Sequence, residues 1–365
     1  MALRPPGARF PSEETAATVP EGEPTDEAGL GPPGAAPSPE AGEAAAPRSW
    51  KRVLFAAVKW LLFTAVLVLV ARALVNRFAE VSWSEIVFRP AWLAGAAGVL
   101  LLAIAGAFLP IYLLLRQFGH RVPAVQVMAS VWVAQLGKYL PGKVGTVVGV
   151  AWLLRRYKVP VAVSAGSAVM CDGLSAILSM LIALPLTLTE PIRSALPLAW
   201  LWCLVLAGAG LACLHPRVFG RLCNAVLRRL GKPPLARLPK FRDFGPVMLV
   251  LAAQYLVAGT SLWMLARSFA DVRADTLPML IGGGALAALV SLLSFFAPGG
   301  LGVYEGLLIA VVSPYLGGGD AAILAVANRF VRTVCEAFLA AGGLVVLRVA
   351  RAPEPQAGPA ANPPD

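Results

Sequence analysis

Three acids, Asp172, Glu305 and Glu336, stand inside stretches that are otherwise apolar, and five bases, Lys59, Lys138, Lys143, Arg329 and Arg332, stand there too. A charge at the centre of an isolated membrane helix costs roughly 2.5–3.5 kcal/mol on insertion scales. Such side chains must face partners, water or a charged ligand. Arg329, Arg332 and Glu336 fall at i, i+3 and i+7 of one helical face, with Asn328 beside them. The spacing predicts an Arg332–Glu336 pair, which leaves Arg329 available for an anion. Asp172 shares its segment with Ser164, Ser167, Ser175 and Ser179, small polar residues suited to close helix contact. Asp172 and the arginines read equally well as structural ion pairs or as groups that meet a substrate. Lys59 lies near the cytoplasmic end of its segment and is expected to snorkel.

A short phrase occurs twice: Pro141-Gly142-Lys143-Val144-Gly145 and Pro298-Gly299-Gly300-Leu301-Gly302, 157 positions apart. Each copy interrupts an apolar run. Proline removes a backbone donor and clashes with the preceding turn, while glycine tolerates dihedrals that other residues avoid. One copy alone reads as a kink between two helices. Two matched copies point to broken helices at membrane depth in a repeat-built transporter. Backbone groups freed there must be satisfied by protein, water or ligand. The arm after each break presents a helix N-terminus, whose amides and partial positive charge suit an anion. The substrate-binding candidates are therefore Lys143, Arg329, Arg332 and Asn328, with Gly142, Gly145, Gly299, Gly300 and Gly302. Asp172, Glu305 and Glu336 are candidates for charge balance or ion coupling. Glu305, just past the second break, is placed to bind a cation, carry a proton or cap the arm.

The elements that must position these residues are membrane helices. Of 365 residues, 58% are hydrophobic and 14% charged, and the mean hydropathy is +0.72. Apolar runs of about 20 residues are long enough to cross a bilayer core. Spans are predicted at 53–74, 91–115, 161–187, 197–214, 246–266 and 320–348. Two broken hairpins are predicted, at 123–154 (arms 123–140 and 144–154) and at 277–316 (arms 277–297 and 303–316). The second arm at 303–316 is short for a full crossing. With cytoplasmic termini, Lys and Arg divide eighteen to six in favour of the cytoplasmic side, eight of them in a basic loop at 215–245. The hairpins then insert from opposite sides. The expected fold is an all-α polytopic membrane protein, an inverted repeat with two re-entrant hairpins in a domain at 48–351.

Residues 1–47 are rich in Pro, Gly and Ala; their eight acids and two bases leave −6, so the remainder of this +11 chain carries +17. That stretch and 352–365 are expected to be disordered tails. No apolar h-region follows Met1, so no cleavable signal is expected. The basic excess belongs to cytoplasmic loops facing anionic lipid, and nucleic acid is not an expected partner. The five cysteines are scattered without a CxxC pair, and His120 and His215 have no partner at ligand spacing. No metal, cofactor or nucleotide-binding loop is expected.

The segments LGKYLPGKVGTVVGVAWLLRR and APGGLGVYEG, followed by a helix containing NRFVR, resemble the transmembrane, flippase-like region of lysylphosphatidylglycerol synthases and its stand-alone relatives. The resemblance spans about 53–348. It implies a Pro-Gly break in each half, a Glu just after the second (Glu305), an Arg on the last long helix (Arg329) and an acid on the helix after the first hairpin (Asp172). Many relatives place Arg directly after that acid, where this chain has Gly173. In the two-domain relatives this region is thought to move aminoacylated phospholipid between leaflets, and a separate soluble domain makes the lipid. This chain ends soon after its last predicted span, so the resemblance implies translocation rather than synthesis.

The resulting expectation is an inner-membrane, multi-pass lipid flippase with cytoplasmic termini. Its cargo would be an anionic, aminoacylated or polyprenyl-linked lipid, and a lipid-modifying enzyme is a candidate partner. The alternative is a membrane enzyme or accessory subunit acting on a lipid-linked substrate. No DxD, His-rich or Ser/His/Asp arrangement supports catalysis.

Overall fold

The computed structural model describes residues 88–139, 144–195, 197–229, 231, 239–294 and 297–349, with isolated helical positions between 61 and 76. Both tails, Lys59 and the first break at Pro141, Gly142 and Lys143 lie outside the described residues. The fold is all-α. Its helices are α1 (Pro90–Ala105), α2 (Phe108–Gln117), α3 (Ala124–Ala134), α4 (Val144–Leu154), α5 (Val161–Thr187), α6 (Glu190–Ala195), α7 (Ala199–Leu214), α8 (Pro216–Arg229), α9 (Phe244–Arg267), α10 (Leu277–Leu293), α11 (Val303–Leu316) and α12 (Gly318–Val349). Among the described residues six stretches are long and apolar enough to cross a membrane: Pro90–Gln117, Val161–Thr187, Phe241–Arg267, Ala274–Leu293, Pro298–Leu316 and Gly318–Val349. The fifth reaches 19 residues because a 3₁₀ turn precedes α11.

At both predicted hairpin positions the arms pack side by side. A Cβ on Gly145 would land on the Gly137 backbone, and one on Gly149 would press on Ala134. That register belongs to two arms packed side by side, α3 with its 3₁₀ extension Gln135–Tyr139 and α4. In the second hairpin Gly300 abuts Ser291, and the Tyr304 hydroxyl approaches Gly284. Gly299, Gly300 and Gly302 have φ of 59°, 67° and 80°, a left-handed run that residues with a Cβ rarely adopt. Small residues at such contacts let backbones approach, and close packing holds helices together in lipid.

The long helix α12 runs past both hairpins. Its Gly343 packs on Ala129 and Trp132 of α3. Its Glu336 meets Lys138 and Tyr139 at the tip of the first hairpin. Its Arg329 meets Gly299 and Glu305 at the tip of the second. Its Leu324 shares a buried cluster with Leu308 of α11. The two hairpins thus lie along opposite parts of α12, and their tips converge near Arg329.

Three elements differ from expectation. The span at 91–115 is broken at Gly106–Ala107. Pro110 cannot donate to the Gly106 carbonyl and its ring crowds that turn. Leu109 N–H shifts to the Gly106 carbonyl. Gln254 Nε2 also donates to that oxygen at 2.7 Å, and Trp132 Nε1 donates to the released Ala105 oxygen at 3.0 Å. The span expected at 197–214 is a 16-residue helix, because Pro197 sits in a turn ahead of it. Half of the basic loop is helical: α8 carries Arg217, Arg221, Arg228 and Arg229, all exposed.

Candidate functional site

A cavity of about 740 Å³ lies between Lys138 at the end of the first hairpin's leading arm and Gly299 of the second break. Its wall draws on the α1–α2 break (Ala107), the tip of the first hairpin (Lys138), α5 (Asp172, Ser175), α9 (Gln254, Tyr255), the second break (Gly299) and α12 (Asn328, Arg329, Arg332). Most of the remaining wall is aliphatic. A few polar groups on an apolar surface are the ordinary make-up of a small-molecule site.

Each hairpin tip is tied to α12 by an ion pair, and the polarity alternates. The first hairpin supplies the cation: Lys138 Nζ donates to Glu336 Oε1, and the Tyr139 hydroxyl donates to Oε2 at 2.9 Å. The second supplies the anion: Glu305 Oε1 lies 3.4 Å from Arg329 Nη1. The same guanidinium donates to the Gly299 carbonyl at 3.2 Å and sits over the Tyr139 ring at 5.7 Å. Arg329 therefore touches both tips.

The Arg332–Glu336 pair expected from the i, i+4 spacing does not form. Both Glu336 oxygens are occupied by groups from the first hairpin, which a helix-local reading leaves out. Arg332 turns instead over the Tyr304 ring, 5.9 Å from its centroid. The assignments are thereby exchanged: Arg329 is paired, and Arg332 makes no ion pair among the described residues.

Two neighbouring guanidinium donors on α12, Arg329 Nη2 and Arg332 Nε, have no hydrogen-bond partner among the described residues, while the Asn328 amide beside them donates to the Tyr304 hydroxyl. Asn328 is 3% exposed. A buried donor left unsatisfied costs about 1–3 kcal/mol, more when charged. Two such guanidinium donors three residues apart on one helix face suit an anion with several acceptor oxygens.

Glu305 caps its arm. Its Oε2 accepts from Gly302 N–H at 2.8 Å. Gly300 N–H bonds to Ala297 and Leu301 N–H to Pro298. The expectation that Gly300 and Gly302 offer amides to a ligand is corrected: those amides are consumed within the turn, and the glycines shape it. Gly299 lines the cavity. Gly145 forms the neck of the first hairpin instead. Asp172 lines the cavity from α5, whereas Glu305 and Glu336 stand behind its wall as partners of Arg329 and Lys138. Lys143 and Gly142 lie outside the described residues.

Sequence reasoning passed over Lys138, Tyr139, Gln254 and Tyr255 as site residues. Tyr255 bonds to Ser175 at 2.8 Å. Lys138 carried a signal, since it is a full charge three residues before a Pro-Gly break. Gln254 carried a weaker one, an amide within the apolar run of α9.

No curated protein matches the chain. The description lysylphosphatidylglycerol synthase TM region matches residues 49–339, which include both hairpins, Asp172 and the Arg329–Glu336 face. With most of its length matched, the chain belongs to the lysylphosphatidylglycerol synthase TM region family, as a multi-pass membrane protein related to lipid handling.

Proposed function

We propose that the protein moves an anionic phospholipid between the leaflets of the inner membrane, with its headgroup passing through the central cavity. The observation that carries this reading is the pair of guanidinium donors, Arg329 Nη2 and Arg332 Nε, that have no partner among the described residues and belong to side chains lining the cavity. A headgroup phosphate offers several acceptor oxygens and a charge that would satisfy them. The acyl chains stay in hydrocarbon while the headgroup crosses.

The two hairpins act as halves of an inverted repeat, inserted from opposite sides with both termini cytoplasmic. The excess of Lys and Arg on one side supports that orientation. So does the convergence of both tips on Arg329 from opposite parts of α12. Asp172, Glu305 and Glu336 balance the cationic side chains.

The test is leaflet exchange of a fluorescent phosphatidylglycerol in proteoliposomes, read by dithionite quenching. The protein should accelerate exchange over empty vesicles, and Arg332→Gln should abolish most of the gain. Exchange at the empty-vesicle rate with the native protein, or full exchange by the variant, would overturn the proposal.

A further inference from the structure

Among the described residues that line the cavity, three are exposed: Val169 at 52%, Leu293 at 53%, and Asp172. They come from two helices only. Val169 and Asp172 are one turn apart on α5, and Leu293 ends α10 beside the second break. The cavity therefore surfaces between α5 and the tip end of α10. These helices pack tightly further along, where Ile182 and Leu186 abut Gly282.

The depth of this mouth is informative. Asp172 is the twelfth residue of the 27-residue α5. At 1.5 Å per residue it lies roughly 16 Å from one end of the helix and roughly 22 Å from the other. On a span of membrane-crossing length this places the mouth about midway along the helix, the depth of the hydrocarbon core. A carboxylate exposed to hydrocarbon at that depth is strongly disfavoured. Its position at the rim fits a place where water or headgroups reach the middle of the membrane.

We propose that the Val169–Asp172–Leu293 mouth is a lateral portal, through which the headgroup of a membrane phospholipid passes between the cavity and the surrounding bilayer. This rests on the lipid-transport reading above and adds the route. Val169 and Leu293 form its apolar jambs, against which glycerol and acyl chains slide. Asp172 marks the polar sill. Beyond it, Arg329 and Arg332 receive the phosphate.

The test uses the full chain with its five cysteines replaced by serine, reconstituted in vesicles containing a phospholipid with a maleimide on its headgroup. Single cysteines are introduced as Val169→Cys, Leu293→Cys and Leu256→Cys. Leu256 is 52% exposed near the middle of α9 and does not line the cavity. A thioether forms only where the headgroup reaches the thiol. Cysteines at 169 and 293 should react on the order of tenfold faster than the one at 256, because a charged headgroup rarely visits the centre of a plain bilayer. Fluorescent-lipid exchange is measured on the same vesicles. Equal labelling at all three sites, or none at 169 and 293 while exchange proceeds, would overturn the portal and leave transport standing. Selective labelling at 169 and 293 without exchange would uphold the portal and overturn transport. Val169→Trp narrows the mouth without touching the donor wall, and it should slow both labelling at 293 and exchange; unchanged rates would count against the route.

Discussion

Glu305 Oε1 lies 3.4 Å from Arg329 Nη1, while Oε2 of the same carboxylate accepts from Gly302 N–H at 2.8 Å. One side chain thus caps α11 and holds the arginine at the junction of both hairpin tips. Its two tasks can be separated. Glu305→Ala removes cap and charge together, and the loss should approach the about 3–5 kcal/mol typical of breaking a buried pair. Glu305→Gln keeps an acceptor for Gly302 N–H and loses only the charge, so its melting temperature in detergent should fall between native and Ala. A Gln variant as unstable as Ala would show that the cap contributes nothing.

Lys138 and Glu336 are 198 positions apart in the chain and bonded in the fold. Their side chains are 24% and 4% exposed, so each is shielded from water and depends on the other. Glu336→Leu or Lys138→Met alone leaves an uncompensated charge and should destabilise by about 3–5 kcal/mol. Lys138→Met combined with Glu336→Leu removes both charges and should recover most of that loss. A double-mutant cycle on thermal unfolding measures the coupling, and additive single effects would contradict the pair.

The contrast between these pairs shows what a sequence of this kind discloses. The second break was legible, because Pro-Gly inside an apolar run has few physical outcomes. Arg329, Arg332 and Glu336 were legible as one face with Asn328 beside it, since helix periodicity alone places them. The partner of Glu336 was not. Spacing within α12 favours Arg332, but Lys138 arrives from a distant hairpin, and only the tertiary packing brings it there. The same limit hid the break at Gly106. Pro110 announced it, but the groups that make it tolerable, Gln254 and Trp132, come from other helices.

The neck of the first hairpin depends on the absence of two side chains. A Cβ at either Gly137 or Gly145 would overlap the other residue's backbone, and backbone cannot swing aside. Gly137→Ala should therefore destabilise by about 1–3 kcal/mol, the usual penalty of overpacking. Gly166→Ala on α5 is the control, since a Cβ there meets nothing within 4 Å. Helix propensity should make that variant neutral or more stable, by up to about 1 kcal/mol. Thermal melts of the two proteins compare them directly, and equal melting temperatures would contradict the close approach.

Arg329 and Arg332 are three residues apart on one face and should differ sharply when replaced. Arg329 holds Glu305 and the Gly299 carbonyl, so Arg329→Gln disturbs the architecture and should lower both melting temperature and lipid exchange. Arg332 makes no ion pair among the described residues and rests over Tyr304, so Arg332→Gln should leave the melting temperature within about 1 kcal/mol of native stability. Its effect should fall on exchange instead. A charge-assisted hydrogen bond is worth about 1.5–3 kcal/mol, which predicts a loss of roughly tenfold to hundredfold in exchange rate. Arg332→Lys keeps the charge but loses the planar fork, and it should restore part of the rate. If the two Gln variants instead fell together in stability and in exchange, Arg332 would be another structural arginine, and the unpartnered donors would no longer mark the place where a phosphate binds.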